Sequence, residues 1–428
     1  MTPRNSLSAA VFAGTLSLAL GIPAAAYAAD GFVEGSKVTL NARNFYINRN
    51  FVDPAYNGGQ NKAEEWTQSF ILNAQSGYTP GPIGFGVDVL AGLAVKLDGG
   101  AGTYGTGLLP THGTGADRHP ADDFGRIAVA AKAKMSETEL RVGEWQVVVP
   151  VLRADDGRSL PQTFQGGMIS SREISNLSLF GGQMRQNSTR DDASMEDMSY
   201  KDGLNGITAT SDRFNFIGGE YTFNEKTKVG LWHARLEDIY QQSYAQVLHV
   251  QPLGENLALT ANLGYFTGKD EGSALAGDLD NKTYSGLFGL QAGANTFYVG
   301  LQKVSGNQWM RVNGTGGASV ANDSFNSAYD AADERSWQIR HDYNFAGVGI
   351  PGLVLMNRYI SGDNITTASG DEGSEWGRES ELAYTVQSGA LKNLNIKWRN
   401  SSMRRDSSFS RNEFDENRLI FNYPISIL

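Results

Sequence analysis

The chain has 428 residues and no cysteine, which excludes disulfides, thiolate metal sites and cysteine nucleophiles. Its formal net charge of −10 argues against nucleic-acid binding, although it says nothing about where the charges sit. Its mean hydropathy of −0.34 excludes a membrane-spanning helix downstream of the N-terminal segment.

The N-terminal segment has the features of a secretory signal peptide. Arg4 precedes an apolar stretch from about residue 7 to residue 22, and Pro23 and the small-residue site Ala26-Tyr27-Ala28 follow. The apolar stretch is too short for a membrane anchor, so we predict cleavage after Ala28. Residues 29–428 are then expected to form a single domain.

From about Ser36 onward, apolar and polar residues alternate in runs of about ten, the period of a β-strand with two different faces. In residues 257–265 and 337–345 the odd positions are largely apolar. A soluble β-sandwich or propeller would show the same alternation with the apolar face turned inward. The runs predict eighteen strands, at about 36–49, 63–76, 83–97, 124–135, 138–149, 167–174, 175–186, 213–224, 227–238, 240–251, 256–268, 281–293, 295–305, 334–344, 351–361, 375–387, 392–404 and 414–427.

The connections favour a membrane barrel over the soluble alternatives. Those after even-numbered strands are short, as at 136–137 and 388–390, whereas most of those after odd-numbered strands are long and polar, as at 98–123. Short turns on one rim and long loops on the other are typical of outer-membrane barrels. We therefore predict an all-β fold, a closed transmembrane antiparallel barrel of eighteen strands, with sixteen as the alternative count.

Aromatic residues near the strand ends suit the two interfacial bands of such a barrel. They are Trp66, Trp145, Trp232, Tyr265, Tyr284, Trp337, Tyr343, Tyr359, Tyr384, Trp398 and Tyr423.

Several basic residues lie on the polar face of the late strands, namely Arg340, Lys397, Arg399 and Arg418. A lipid-facing Arg or Lys at mid-depth costs about 2–4 kcal/mol, so these side chains should point into the lumen and form a positive track for anionic solutes. The alternative for each one is a structural ion pair with a carboxylate of the wall.

The third long loop, at 150–166, contains apolar Leu152, Leu160 and Phe164. A loop with its own apolar anchors packs against something, so we expect it to fold into the lumen and narrow it. Arg158 would then supply a cation, and Asp156 an acid, at the constriction. A lid on the outer rim is the alternative.

Sequence motifs along most of the chain resemble those of the OprD-type porins of pseudomonads, the outer-membrane carboxylate channels. The motifs are Leu160-Pro161-Gln162-Thr163-Phe164-Gln165-Gly166, Ser171-Arg172-Glu173-Ile174, Ala42-Arg43-Asn44-Phe45-Tyr46 with Asn48-Arg49, Leu236-Glu237-Asp238-Ile239-Tyr240, Glu334-Arg335-Ser336-Trp337-Gln338, Arg358-Tyr359 and Tyr423-Pro424. Residues 309–315 resemble the aromatic-carboxylate branch more than the basic-amino-acid branch.

The resemblance implies an eighteen-stranded barrel, an inward third loop and a basic ladder that guides carboxylate substrates. By motif position it adds Arg43, Arg49 and Arg358 to the ladder and favours Arg158 at its narrowest point. Periodicity alone argues against these three arginines as lumen residues. Apolar Phe45 lies on the same strand face as Arg43 and Arg49, and apolar Met356 on the same face as Arg358, which would turn both faces toward lipid.

We therefore expect a substrate-selective porin in the outer membrane of a Gram-negative bacterium that lets small carboxylates, including aromatic acids, diffuse passively. The expected partners are these solutes, outer-membrane lipid and lipopolysaccharide, with no nucleic acid and no cofactor, and the barrel would be a monomer or a weak trimer. A porin for basic amino acids or peptides is the alternative. An enzyme is disfavoured because the five histidines are scattered and no Gly-x-Ser-x-Gly motif occurs, and an adhesin would conduct no substrate.

Overall fold

A computed structural model describes residues 31–203, 206–313 and 319–428 of the chain. The predicted signal peptide, residues 1–28, lies outside these ranges. Within them, no helix is long and apolar enough to cross a membrane.

The described residues form an all-β structure with two short 3₁₀ helices, Gly115–Asp117 and Phe345–Val348. The strands, in chain order, are β1 (Lys37–Phe51), β2 (Lys62–Gln75), β3 (Gly84–Asp98), β4 (Thr111–His112), β5 (His119–Pro120), β6 (Asp123–Met135), β7 (Thr138–Trp145), β8 (Val148–Val149), β9 (Leu152–Arg153), β10 (Thr163–Ser171), β11 (Leu177–Ser188), β12 (Glu196–Lys201), β13 (Thr208–Ser211), β14 (Phe214–Asn224), β15 (Thr227–Leu236), β16 (Tyr240–Gly254), β17 (Leu257–Asp270), β18 (Asp280–Ala292), β19 (Asn295–Gly306), β20 (Arg335–Asn344), β21 (Leu353–Thr366), β22 (Glu372–Thr385), β23 (Asn395–Arg405) and β24 (Phe414–Ser426).

Eighteen of these strands close into one antiparallel barrel, and the other six form short hairpins in the loops (β4 with β5, β8 with β9, β12 with β13). Each barrel strand pairs with the next along the chain, and β1 closes the ring by pairing with β24 from Thr39 to Phe51. Closure leaves no unpaired strand edge, which is the condition for a sheet to span a bilayer. The prediction of eighteen strands is confirmed, and the alternative of sixteen is wrong.

Along the barrel strands, apolar side chains are exposed and polar side chains are buried, the reverse of the pattern in a soluble protein. On β20, Trp337 and Ile339 are 44 % and 54 % exposed, whereas Gln338 between them is 1 % exposed. On β17, Leu257 and Leu259 are likewise exposed. Apolar side chains therefore cover the outside of the barrel, which excludes the sandwich and propeller alternatives.

Two predicted strand boundaries are wrong around the third long loop. The strand predicted at 138–149 ends at Trp145, and the strand predicted at 167–174 begins at Thr163. Loop 3 is therefore residues 146–162, and Phe164, expected as a loop anchor, is a fully buried strand residue. The segment 150–166 begins and ends with the turn formers Pro150 and Gly166, which is why the sequence predicted a loop through Phe164.

Loop 3 folds into the lumen, as predicted. Leu160 is fully buried in an apolar cluster with Phe45 and Ile47 of β1 and with Leu108 of the loop between β3 and β6. Gly92 of β3 makes room for it, since a Cβ there would lie 2.8 Å from Leu160 Cδ2. Phe45 and Ile47 are therefore apolar residues that face inward and are covered by packed loops. Arg43 and Arg49, which lie on the same face of β1, can thus also face the lumen.

A second apolar cluster fills the opposite half of the lumen. Inward aromatic side chains of β14–β17 pack there against Leu152 of loop 3 and Met310 of loop 7, residues 307–334. Trp145 and Trp232 belong to this cluster and are 6 % and 4 % exposed, so their expected place in the interfacial bands is wrong.

The hairpin β12–β13 clamps loop 7 over this half. Val312 forms a β-bridge with Tyr200, and the Asn313 amide donates to the Ser199 carbonyl over 2.6 Å. The lumen is thus packed on one side, and a polar cavity follows the other wall.

Candidate functional site

The polar cavity has a volume of about 1180 Å³ and runs between loops 3 and 7 and the inner wall of the barrel. Its cationic lining residues are Arg43, Arg49, Arg141, Arg153, Arg158, Arg190, Arg311, Lys397, Arg399 and Arg418. Its carboxylate lining residues are Asp88, Glu144, Asp155, Asp156, Asp191 and Asp323. Within the described chain, the cavity therefore carries four more cations than carboxylates, although the whole chain is acidic.

The register of three adjacent strands aligns the cations on one wall. Arg399 of β23 is the cross-strand neighbour of Arg418 of β24, and Arg43 of β1 lies opposite Asn422 of β24. Arg49 lies six residues beyond Arg43 on the same face of β1, about 20 Å further at 3.4 Å per residue. The wall therefore presents positive charge along much of the membrane thickness.

Arg43 connects this wall to loop 3. Its guanidinium makes a bidentate ion pair with Asp156, with nitrogen–oxygen distances of 2.8 and 3.2 Å. The same guanidinium donates hydrogen bonds to the Arg158 carbonyl and to Asn422 Oδ1. Arg43 is 8 % exposed, whereas the Asp156 side chain is 46 % exposed to the lumen. Asp156 thus holds the loop at a cation of the wall.

Carboxylates of the wall keep the upper cations in position. Glu416 pairs with both Arg49 (2.7 Å) and Arg418 (2.5 Å), and Glu381 pairs with Arg399 (2.5 Å). Glu416 is 1 % exposed, so a buried anion sits between two guanidiniums. These two carboxylates fix the rotamers of the arginines from behind the lining, and counting them with the lining acids leaves two more cations than carboxylates around the cavity.

Arg158 and Lys397 make no ion pair with any carboxylate among the described residues. Arg158 is held by carbonyl oxygens instead, since its Nε donates to Thr106 (2.9 Å) and an Nη donates to Gly157 (2.8 Å). Both side chains line the cavity. Arg158 is 7 % exposed, and Lys397 is half-buried.

Phe325 of loop 7 contacts three guanidiniums. Its ring centroid lies 4.1 Å from Cζ of Arg399, 4.9 Å from that of Arg358 and 5.9 Å from that of Arg418. The Phe325 amide donates to Glu379 (3.0 Å), and its carbonyl accepts from Arg418 (3.1 Å). The ring lines the cavity, so aromatic surface and guanidinium meet at one place.

Arg340 and Arg358, also predicted for the translocation path, face inward but lie outside the cavity lining. Arg340 makes a two-pronged pair with Asp342, both distances 2.7 Å, and packs on the Tyr298 ring. Arg358 pairs with Glu379 and donates to the Asp323 carbonyl over 3.1 Å. In this structure both side chains brace the wall, and Arg358 also helps position loop 7.

Loop 7 contributes acids as well. Arg311 pairs with Asp330 over 3.1 Å. Asp323 lies in the same loop, outside the membrane-spanning strands, and burial raises its pKa to about 7 against the attraction of Arg153, Arg311 and Arg358. Asp323 is therefore a lumen carboxylate whose charge changes near neutral pH.

Sequence reasoning missed Phe325, Asp323 and Arg311 because loop 7 has no periodicity that assigns a direction to its side chains. A single aromatic residue among small polar ones, Ser324-Phe325-Asn326-Ser327, was the available signal. No group of three or more His, Cys, Asp or Glu side chains in the described ranges is arranged to hold a metal ion.

Comparison with known proteins gives a family match over nearly the whole chain. Residues 30–427 match the family described as outer membrane porin, OprD family. The porin-like protein GalP of Pseudomonas putida is 61 % identical over 416 residues, which cover 97 % of each chain.

Solved structures share the barrel. OccK2 (OpdF) of Pseudomonas aeruginosa, in complex with glucuronate, is 56 % identical with a TM-score of 0.83 over 93 % of this chain and 100 % of that one. OpdK of Pseudomonas aeruginosa, with vanillate, is 46 % identical with a TM-score of 0.84 over 92 % of this chain and 100 % of that one.

Proposed function

Because the chain belongs to the OprD family of outer-membrane porins, we propose that its polar cavity is the path along which small carboxylates cross the outer membrane by passive, selective diffusion. The observation that carries the proposal is the net charge of the residues that line the cavity. Ten cations and six carboxylates line it, although the chain as a whole has a net charge of −10. A lining of that sign raises the local concentration of anions.

The proposed path uses the cations in two ways. Arg158 and Lys397 attract the carboxylate, because neither makes an ion pair with a carboxylate in the described ranges of the chain. Arg43, Arg49, Arg399 and Arg418 offer guanidinium forks that are already partly neutralised by wall acids. A solute can exchange between such sites, since each holds it weakly enough for it to leave.

Asp156 is proposed to set the strength of binding at the constriction. Its side chain is half exposed and is ion-paired with the guanidinium of Arg43, so an incoming carboxylate competes with Asp156 for that guanidinium. Competition of this kind keeps the affinity low, which flux through a channel requires.

Aromatic acids are proposed as favoured substrates within the carboxylate class. OpdK is described with vanillate and OccK2 with glucuronate, an aromatic and a non-aromatic acid. In this chain, Phe325 places an aromatic face beside Arg399 and Arg418, so a planar acid can pair with a guanidinium and stack at the same time.

A channel for basic amino acids or peptides is the second candidate within the family. The carboxylates of loops 3 and 7, such as Asp155 and Asp323, would serve it. The excess of cations in the same cavity favours the carboxylate channel. The alternative of an enzyme no longer stands, because the relatives are porins.

Flux through the purified protein in liposomes tests the proposal. Vanillate and glucuronate should enter faster than arginine, and replacing Arg399 by Ala should reduce the two acid fluxes. Arg378→Ala is the matched control, since Arg378 is an exposed, outward-facing residue of β22 that donates to Asn400. Acid fluxes that do not change in Arg399→Ala, or that change equally in the control, would contradict the proposed path.

A further inference from the structure

A row of outward-facing cations lies at the extracellular ends of four adjacent strands. Lys269 ends the outer face of β17, Lys282 and Lys303 lie on that face of β18 and β19, and Arg335 begins β20. The register places them side by side: Lys303 is the cross-strand neighbour of Arg335, and Lys282 lies opposite Thr267, two residues from Lys269.

Aromatic side chains lie directly below this row on the same faces. Tyr284 is the cross-strand partner of Lys303, and Trp337 follows Arg335 by two residues. Tyr284 and Trp337 are 51 % and 44 % exposed, as expected for rings at the membrane interface. The cations therefore stand at the level of the lipid headgroups, with the apolar band beneath them.

The three lysines of the row have no ion pair and no side-chain hydrogen bond within the described residues, and all three are exposed. Their neighbours differ in this respect. Arg335 pairs with Asp363 (3.0 Å), and Arg235 of β15 pairs with Glu237 (2.7 Å) and with Glu271. Asp280 is the cross-strand neighbour of Lys269 but does not pair with it. The three lysines thus carry positive charge that no ion pair of the described residues neutralises, although Asp280 lies across the strand from Lys269.

We propose that Lys269, Lys282 and Lys303 form a binding site for the phosphate groups of lipopolysaccharide in the outer leaflet. The long side chains reach along the apolar surface while their ammonium groups meet the phosphates, and the lipid chains cover the aromatic row and the apolar band. The position at the interface selects a phosphorylated lipid over free phosphate, since only the lipid fills both parts of the surface. This site is separate from the lumen and does not depend on the transported solute.

Titration of the detergent-solubilised protein with purified lipopolysaccharide, read by native mass spectrometry, tests the site. The variant Lys269→Gln/Lys282→Gln/Lys303→Gln should bind about 100-fold more weakly, since each lysine near an anionic surface contributes roughly a fivefold factor. Enzymatically dephosphorylated lipopolysaccharide should bind the native protein with a similar loss. Inorganic phosphate at the same concentration should not compete.

The matched control removes three exposed lysines from the opposite rim. Lys226 and Lys392 lie in short periplasmic turns, and Lys37 begins β1 at the same rim. Replacing all three by Gln should leave lipopolysaccharide affinity within twofold of the native value. Both triple variants should keep the native single-channel conductance, which shows that the barrel is folded.

Three results would overturn the proposal. The first is an unchanged affinity in the variant of β17–β19, and the second is equal binding of the dephosphorylated lipid. The third is a change of oligomeric mass in that variant with no change in lipid affinity, which would make the patch a contact between copies of the barrel.

Discussion

Replacing Arg158 by Ala should weaken the entry of carboxylates into the lumen more than any other single loop substitution. Arg158 lines the cavity and makes no ion pair with a carboxylate in the described chain. A unit charge at 4 Å contributes about 1 kcal/mol in bulk water and about 4 kcal/mol at an effective dielectric of 20. For a water-filled lumen with protein on two sides we take about 2 kcal/mol, which corresponds to roughly 30-fold weaker binding.

The assay is block of KCl current through single channels by vanillate, measured as the half-blocking concentration. Arg158→Lys keeps the charge and loses the fork, so it should lie between the native protein and Arg158→Ala. Arg378→Ala controls for loss of a cation outside the lumen. A half-blocking concentration in Arg158→Ala within twofold of the native value would show that Arg158 does not attract the blocking acid.

Three further substitutions test other parts of the site. Phe325→Ala should lower the affinity ratio of vanillate to glucuronate about fivefold in the same block assay, since an aromatic contact contributes about 0.5–1.5 kcal/mol; an unchanged ratio would remove Phe325 from substrate selection. Leu160→Ala should destabilise the packing of loop 3 by about 2–4 kcal/mol, seen as larger conductance and faster proteolysis within 146–162; native values would contradict the anchor. Because burial raises the pKa of Asp323 to about 7, its carboxylate is charged at pH 8 and neutral at pH 6. Anion preference should therefore rise as the pH falls through 7, and Asp323→Asn should abolish that step; a step that persists in Asp323→Asn would assign it to another group.

The fold could be predicted because lipid imposes a simple rule on each strand. Trp337, Gln338 and Ile339 alternate outward, inward, outward, as periodicity indicates. The alternating loop lengths then gave the barrel and its orientation, and a two-residue period identified Lys397, Arg399 and Arg418 as inward-facing.

The rule fails where the lumen is packed with protein. Phe45 and Ile47 point inward and are apolar because loop 3 covers them, so parity misplaced Arg43 and Arg49 until the family resemblance restored them. Trp145 and Trp232 were assigned to the lipid interface for the same reason. The loops cover only some of the inner strand faces, and contacts between segments distant in sequence decide which ones. The periodicity of a single strand cannot predict such contacts.

The contacts of loop 7 could not be predicted for a related reason. Phe325 contacts Arg358, Arg399 and Arg418 because hydrogen bonds of its own backbone to Glu379 and Arg418 hold it against the distant strands β22 and β24. The loop has neither a period nor a motif that assigns its side chains a direction.

The lining of the lumen cavity carries more cations than carboxylates, although the chain as a whole is acidic. The most direct measurement is the zero-current potential of the protein in a planar bilayer across a KCl gradient at pH 8, where Asp323 is charged and opposes anion preference. The positive cavity predicts a potential of the sign given by chloride passing faster than potassium. A potential of the opposite sign, as the net charge of −10 alone would suggest, would contradict it.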